Sequence, residues 1–245
     1  MMRSVENWCA LLGGPPEALA AALAGAARAG DPQALLQYGQ CLLDGAGVAR
    51  DPRAALAAFH QAAQAGLPAA INMVGRCLDQ GWGAPSLPGE AALWFERAAA
   101  LGHDWGQYNW ATLLALGRGV PRDRVRALAL FRRAAEQGHA KAAGMVGLFH
   151  EEGWAVPVNR TLAAHHYARA AEGGDFRGAF NHGRMLLDQG REGCAAHWIE
   201  RARVLAGEAG NARFVAQIDA WLAARGFTAP SANANDSQQM ASTNP

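Results

Sequence analysis

Ala- and Leu-rich stretches, each interrupted by charged or amide side chains, alternate along this chain with short segments that contain glycine. Some stretches follow Asp or Asn, as at Asp51-Pro52, which is typical of an N-cap followed by proline in the first helical turn. Others end with the letters AAxxG, whose glycine can provide a left-handed C-cap. The pattern predicts paired helices: a first helix A, a glycine turn, a second helix B and a stop.

The whole pattern repeats every 36 residues, which is typical of a repeat protein. A tiny residue recurs in helix A, at Gly39, Gly75, Ala111, Gly147 and Gly183. An aromatic residue recurs in helix B, at Phe59, Phe95, Phe131 and Tyr167. An alanine position (62, 98, 134 and 170) and two glycine positions, beginning at Gly45 and Gly66, follow the same interval. Five columns in one register exclude a chance pattern.

Each column has a predicted packing role. The tiny residues let the two antiparallel helices approach closely, and the aromatic residue fills the space between one repeat and the next. Asp51, Asp123 and Asn159 occupy one capping column, which Leu87 breaks. The fifth unit departs from the pattern, because its loop is short and Trp198 takes the aromatic place five residues early.

The ends of the chain are predicted to differ from its middle. Lone helices over Pro16 to Arg28 and Ala212 to Arg225 would cover the apolar ends of a stack of repeats. From Thr228 the chain has no Val, Ile, Leu or aromatic residue, which predicts disorder. The predicted division is an N-terminal segment with its capping helix (1–30), the repeats (31–66, 67–102, 103–138, 139–174 and 175–206), a capping helix (207–226) and a disordered tail (227–245).

Two copies of the repeat, YGQCLLDGAGVARDPRAALAAFHQAAQAG and WATLLALGRGVPRDRVRALALFRRAAEQG, resemble the Sel-1-like repeat, a close relative of the tetratricopeptide repeat. The resemblance covers roughly residues 31–206. It implies an all-α, right-handed α/α solenoid, or superhelix, of about five helix-turn-helix repeats. It also implies an adaptor that brings proteins together. Ala111, Ala155 and Leu87 depart from the family pattern, which puts the local geometry in question but leaves the architecture intact.

Charge and composition argue against several partners. Lys and Arg total 22 and Asp and Glu total 21, so the summed field does not favour nucleic acid. No apolar run approaches the roughly 18 residues that a membrane span needs. The stretch from Ala18 to Ala27 could imitate a signal peptide, but it begins late and lacks a basic segment beyond Arg3. We therefore expect a cytoplasmic monomer with a protein partner, and keep export as the alternative.

The four cysteines, Cys9, Cys41, Cys77 and Cys194, form no CxxC pair, which fits a reducing compartment. Cys41 and Cys77 lie at equivalent positions of neighbouring A helices, whose axes should be about 8–10 Å apart. That separation exceeds the usual Cα distance of a disulfide, roughly 4.4–6.8 Å. Both are predicted to be buried free thiols.

In the related tetratricopeptide fold the A helices line a concave groove, and the resemblance implies the same arrangement here. The columns that begin at positions 33, 36, 40 and 43 should then face a partner peptide or helix. The candidate partner-binding residues from these columns are Asn72, Arg76, Trp105, Tyr108, Thr112, Lys141, Leu148, Arg177, Phe180 and Arg184. Aromatic anchors and cations suit such a groove. The alternative is that these aromatic residues pack between helices and the cations form a solvated face.

Candidate chemistry is weak elsewhere. His165-His166, the pair Cys194 and His197, and His150 beside two glutamates match no metal-binding spacing, and no nucleophile or phosphate-binding motif occurs. His182 lies in a packing column and is expected to be partly buried. The sequence thus predicts no enzyme, metal or cofactor, and a protein-protein interaction scaffold. The alternative is an accessory or regulatory subunit of an enzyme or of an envelope-assembly complex.

Overall fold

The computed structural model describes residues 13–225, and these form helices joined by short turns, with no strand among them. The described chain divides between His139 and Ala140 into two compact units, called unit 1 (before the division) and unit 2 (after it). The helices described in unit 1 are α1 (Pro16–Arg28), α2 (Pro32–Asp44), α3 (Pro52–Gln64), α4 (Pro68–Gln80), α5 (Pro88–Ala100), α6 (Asp104–Leu116) and α7 (Arg124–Glu136). Those of unit 2 are α8 (Ala140–Glu152), α9 (Arg160–Glu172), α10 (Phe176–Asp188), α11 (Glu192–Glu208) and α12 (Ala212–Ala223).

Polar side chains cap the first turn of several of these helices, as the capping column predicts. The carboxylate of Asp51 accepts hydrogen bonds from the backbone N–H groups of Arg53 (3.1 Å) and Ala54 (2.9 Å). Asp123 and Asn159 accept corresponding bonds at the start of α7 and α9. Leu87, which breaks the column, makes no side-chain cap for α5. Each cap satisfies backbone donors that the first helical turn leaves without partners.

The centre of each hairpin is a contact between a glycine of helix A and a large side chain of helix B. A Cβ atom added to Gly39 would lie 2.6 Å from the ring of Phe59, and one added to Gly75 would lie 2.7 Å from Phe95. Gly147 and Tyr167 meet in the same way, at 2.8 Å. The aromatic side chain therefore packs inside its own hairpin, a contact that the sequence analysis did not assign to it.

In the third and fifth hairpins, one partner of the contact between glycine and aromatic ring is a different residue. Ala111 replaces glycine in the third hairpin, and both Ala111 and Phe131 are fully buried. In the fifth, a Cβ atom on Gly183 would lie 2.7 Å from Ile199 Cγ1. The prediction that Trp198 takes the aromatic place is therefore wrong. The shorter loop brings the next residue, Ile199, against the glycine, and Trp198 instead packs edge-on against His182, with the ring centroids 5.3 Å apart.

The turns depend on backbone in the left-handed region. Gly83 has a φ of 77°, and a Cβ atom there would lie 2.2 Å from the carbonyl oxygen of Pro52. A Cβ atom added to Gly119 in the next loop would lie 2.6 Å from the backbone nitrogen of Gly89. Ala155 occupies the corresponding loop position in unit 2 and also has a positive φ, 62°. The departure noted at Ala155 thus leaves the turn conformation in place, although an L-residue there carries about 1–2 kcal/mol of strain.

The described helices and their consecutive packing establish an all-α helical-repeat fold of the solenoid class. In the described part of the chain, no helix is both long and apolar enough to cross a membrane. Helices occupy Pro16–Arg28 and Ala212–Ala223, where lone end helices were expected. The predicted disordered tail, 227–245, lies outside the described residues.

The glycine contact predicts the effect of adding a side chain to it. Gly75→Leu should lower the free energy of unfolding by at least about 1–3 kcal/mol, because the new side chain would overlap the Phe95 ring. Urea denaturation followed by circular dichroism measures the effect. The control is Gly25→Ala in α1, where nothing lies within 4 Å of an added Cβ atom; it should stabilise by about 0.5–1 kcal/mol. Equal midpoints for Gly75→Leu and the wild type would contradict the contact.

Candidate functional site

The first helices of neighbouring hairpins contact each other within each unit. In unit 1 these are α4 and α6, and in unit 2 they are α8 and α10. The residues that the sequence predicts for partner binding lie on these four helices. Five belong to unit 1: Asn72, Arg76, Trp105, Tyr108 and Thr112. Five belong to unit 2: Lys141, Leu148, Arg177, Phe180 and Arg184. We call the two sets the A-helix face of their unit.

Arg76 borders a cavity of about 340 Å³ on the A-helix face of unit 1. Its other lining residues are Gln40, Leu43, Asp44, Arg50 and Trp82. The guanidinium carbon of Arg76 lies 5.3 Å from the centre of the Trp82 ring, and its Nη1 contacts Met73 Sδ at 3.3 Å. Trp82 therefore holds the cation in place through its ring face. No ion pair involving Arg76 occurs among residues 13–225.

The remaining polar groups of this cavity are bonded to one another. Gln40 donates to the Asp44 carboxylate at 2.6 Å. Arg50 Nε donates to the carbonyl oxygen of Leu43 at 3.0 Å. These bonds fix the cavity wall, and they leave Arg76 as the cation best placed to accept a carboxylate from outside.

The cysteines next to this cavity are free thiols, as predicted, but they differ in burial. Cys77 is fully buried, and burial raises its pKa to about 11 against the opposing charge of Arg76. Cys41 is only half-buried, so the prediction of a buried thiol is wrong for it. Burial and the nearby Asp44 raise the pKa of Cys41 as well. A thiol with a raised pKa is a poor nucleophile, so neither cysteine is set up for covalent chemistry.

Asn72 and Thr112 lie in the A-helix face of unit 1, but their polar atoms are engaged within it. Asn72 is only 4% exposed, and its Oδ1 accepts a hydrogen bond from Asn109 Nδ2 at 2.8 Å. Thr112 Oγ1 donates to the carbonyl oxygen of Tyr108 at 2.8 Å. The Asn72–Asn109 bond joins two A helices across neighbouring repeats. Asn72 therefore ties the helices together, in addition to any role toward a partner.

Trp105 and Tyr108 form an aromatic cluster with His139. The ring centroids of Trp105 and His139 are 4.4 Å apart with an edge-on geometry, and those of Tyr108 and His139 are 4.8 Å apart and stacked. His139 is almost completely buried, whereas Trp105 is 40% exposed. An exposed indole held rigidly by its neighbours is the kind of residue that anchors a partner in protein interfaces.

Arg184 is already paired within unit 2. Its Nη2 donates to both carboxylate oxygens of Glu151, at 2.6 and 2.8 Å, and Tyr167 Oη donates to the same carboxylate at 2.8 Å. Burial and the hydrogen bond to Glu151 raise the pKa of Tyr167. This network connects the A-helix face to the aromatic column of the core. Removing Arg184 would therefore leave the partly buried Glu151 without its cation.

The other residues of the A-helix face of unit 2 surround its core. Arg177 lies over the rings of Phe176 (4.8 Å) and Phe214 (5.6 Å). Phe180 packs against Phe214 and Trp221, at centroid distances of 5.9 and 5.2 Å. Leu148 packs on the buried cluster that contains Tyr167 and Met185. Lys141 is exposed at the beginning of α8.

Asp175 is an ionisable group that the sequence analysis did not select. It is 6% exposed, caps α10 and accepts a hydrogen bond from Gly178 N at 2.8 Å. Burial raises the pKa of this carboxyl, while the Gly178 bond and the charges of Lys141 and Arg177 oppose the rise. Glycine at position 144 leaves room for the carboxylate, because an added Cβ atom would lie 3.3 Å from Oδ2.

Several further residues of the surface were missed at the sequence level. Trp82 was assigned only to the recurring turn GWG, although a tryptophan in a surface turn is a signal for a partner contact. Glu151 belongs to the column that begins at position 43 and lies beside His150, but it was not chosen as a binding residue. His139 occupies the position before helix α8, where the equivalent residues Asp31 and Asp175 cap their helices. Nothing in the local sequence indicates its aromatic neighbours.

The histidines form no metal centre in the described part of the chain. No group of three or more His, Cys, Asp or Glu side chains there is placed to hold a metal ion. His150 and His166 stack at 5.9 Å with parallel rings. His182 is half-buried, as predicted, and burial lowers its pKa. These rings are part of the packing between helices.

The fold and the A-helix faces define a helical-repeat protein of the class that generally serves as a protein-interaction scaffold. Four segments match the family model of the Sel1 repeat: residues 32–67, 68–103, 106–139 and 140–175. These segments make up more than half of the chain. The chain therefore belongs to the Sel1 repeat family.

Solved structures agree with this assignment. A Sel1 repeat protein from Oxalobacter formigenes is 29% identical, with a TM-score of 0.66, over 71% of this chain and 73% of that one. The protective antigen c5321 of uropathogenic Escherichia coli is 26% identical, with a TM-score of 0.66, over 87% of this chain. This chain covers 46% of the antigen's length. The search of curated proteins found no match.

A third solved structure shares the fold at lower identity. It is the immunity protein Pa5087 from Pseudomonas aeruginosa, 20% identical with a TM-score of 0.55, over 88% of this chain and 80% of that chain. At this identity the likeness concerns the fold alone.

The raised pKa of Asp175 predicts a pH-dependent effect of Asp175→Asn. As pH rises, the Asp175 carboxyl ionises at a lower pH in the unfolded chain than in the folded one. The stability that this carboxyl contributes is therefore present below its unfolded pKa of about 3.9 and is lost as pH rises through the folded pKa. Asparagine is an equally good cap without the charge. The urea midpoint of Asp175→Asn should therefore rise relative to that of the wild type as the pH is raised from about 4 to about 7.5.

The matched control is Asp31→Asn, which changes an exposed cap of the same kind on α2. The pH dependence of Asp175→Asn is read relative to this variant, which loses the same capping charge without burial. A stability difference between Asp175→Asn and the wild type that is constant with pH, or that falls as pH rises, would contradict the role of burial.

Proposed function

We propose that this chain is a non-enzymatic scaffold that holds a peptide or helix of a partner protein on its A-helix faces. The observation that carries the proposal is the cavity beside Arg76, where a cation is held by Trp82 with no ion pair of its own among the described residues. The exposed indole of Trp105 provides an apolar anchor in the same unit. Together they offer one charged and one aromatic contact, the two types of side chain that dominate binding energy at interfaces.

The chemistry of the cavity favours a carboxylate or a backbone carbonyl as its ligand. A planar guanidinium already fixed against an indole loses little conformational freedom when it binds. The fixed bonds of Gln40 and Arg50 make the wall rigid. The contact between α4 and α6 supports a concave arrangement of A helices in unit 1, which would bring a peptide against both Arg76 and Trp105.

Unit 2 supports the same function with different chemistry. Arg177 is exposed and lies over aromatic rings, and Lys141 is exposed at the start of the preceding A helix. These two cations would bind acidic groups of a partner. Arg184 would contribute mainly by holding Glu151 in place, because the two side chains are already paired.

We further propose that the chain works as a monomer in the cytoplasm. Free Cys41, Cys77 and Cys194 support a reducing compartment. Subcellular fractionation with an antibody against the chain, combined with sedimentation of the purified protein, tests both statements. A periplasmic or membrane-associated pool would instead support the accessory role in envelope assembly.

Charge reversal at Arg76 tests the A-helix face directly. The full chain, tagged and immobilised, is incubated with lysate of its source organism, and bound proteins are quantified by mass spectrometry. Arg76→Glu should reduce recovery of the true partner at least about fivefold, because a carboxylate would face a fixed negative charge. The control is Arg53→Glu, the same charge change at an exposed position of helix B in the first hairpin.

Arg53→Glu should retain the unfolding midpoint of the wild type, and Arg76→Glu should lose no more than about 1 kcal/mol, the value of its contact with the Trp82 ring. Identical sets and amounts of bound protein for Arg76→Glu and Arg53→Glu would contradict the proposed site.

A further inference from the structure

The B helices α5 and α7 of unit 1 enclose a second groove, away from the A-helix face. Its volume is about 290 Å³. The apolar lining residues are Ala99, Ala100, Trp110, Ala129 and Leu130. Trp110 forms the floor and is only 6% exposed. Ligand pockets span about 300–1,000 Å³, so this groove is at the lower end of that range and has room for one or two protein side chains.

The groove exists because two large residues that meet between the first two B helices have smaller or charged counterparts here. His60 of α3 and Trp94 of α5, in neighbouring repeats, pack edge-on with their ring centroids 5.2 Å apart. The residues 36 positions later are Glu96 and Leu130, and both line the groove. The space that this aromatic pair occupies between α3 and α5 is thus left open between α5 and α7, over the indole of Trp110.

The groove lies in the most basic segment of the chain. Between residues 118 and 136 there are six arginines, at positions 118, 122, 124, 126, 132 and 133, and two acidic residues, Asp123 and Glu136. The whole chain has a net charge of only +1. The overall balance of charge, which argued against nucleic acid, therefore conceals a locally basic segment beside the groove.

Two of these arginines line the groove, and they differ in whether the guanidinium already has an ion pair. Arg126 is paired with Glu96 at 3.2 Å and lies 5.8 Å from the centre of the Trp110 ring. Arg133, two helical turns further along α7, makes no ion pair or side-chain hydrogen bond within residues 13–225 and is exposed. Only Arg133 is thus ready to take a new carboxylate without breaking an existing pair.

We infer that this groove binds an acidic amphipathic segment of a partner protein, with an apolar side chain over Trp110 and a carboxylate on Arg133. The apolar walls and floor would bury the first, and the basic surface of α7 would attract and orient the second. Nucleic acid and anionic membranes fit less well, because phosphate groups would leave the apolar floor over Trp110 without a matching apolar contact. The inference is independent of the A-helix face, and a chain with both surfaces would hold two partners.

Peptide selection on the purified full chain tests the groove. A random peptide library displayed on phage should yield sequences that combine an apolar residue with nearby Asp or Glu. A fluorescein-labelled synthetic copy of the selected peptide is then titrated by fluorescence anisotropy. Arg133→Ala should weaken its binding at least about fivefold. Ala129→Trp, which fills the groove from an exposed position of α7, should abolish binding.

The matched control is Arg122→Ala, which removes the same charge from the neighbouring loop outside the groove and should change the affinity less than about twofold. Equal losses for Arg122→Ala and Arg133→Ala would show a diffuse charge effect and overturn the inference. So would a library that yields no acidic-apolar sequences. Tighter binding of a poly(U) RNA or of phosphatidylserine vesicles than of the selected peptide, lost equally in both arginine variants, would assign the surface to those partners instead.

Discussion

The packing of a large side chain against a glycine backbone is the contact on which each helical pair depends. Gly39 and Gly75 leave space in helix A that only the rings of Phe59 and Phe95 fill. Each fully buried ring contributes about 1.5–3 kcal/mol relative to an exposed one. Because a single hairpin cannot cover the rest of its apolar surface, neighbouring hairpins must stack, and stability accumulates along the repeats.

The glycine contacts use one position in each of the two helices of a hairpin, so many other residues of the same helices lie outside them. In unit 1, Arg76 and Trp105 lie on A helices, while Leu130 and Arg133 lie on a B helix and line the groove there. Under the proposed function, substitution at such positions would change what the surface binds while the glycine contacts stay intact. In unit 2 the separation is less complete, since Arg184 and Glu151 connect the surface to Tyr167. A change of binding residue there also changes stability.

The repeat interval was sufficient to predict the fold, because tiny and aromatic residues in fixed register have few other uses. Side-chain partners were harder to predict. The sequence places Trp198 one residue before Ile199, and only the path of the shortened loop decides which of them meets Gly183. Likewise, Asn72 and Arg184 were correctly placed on A helices, but their bonds to Asn109 and Glu151 join residues 37 and 33 positions apart. Periodicity predicts the face of a helix, whereas pairing depends on the distance between neighbouring repeats.

The central contact can be tested in the first hairpin by enlarging the glycine side and shortening the aromatic side chain. Gly39→Leu and Phe59→Ala should each destabilise the protein. The first overfills the contact. The second opens a cavity and should lower the free energy of unfolding by about 3–5 kcal/mol. A double-mutant cycle measured by urea denaturation reports their coupling. If the glycine and the ring share one space, the double variant should lose at least about 1 kcal/mol less than the sum of the single losses. Additive losses would show that the two residues do not depend on each other, and would contradict the account.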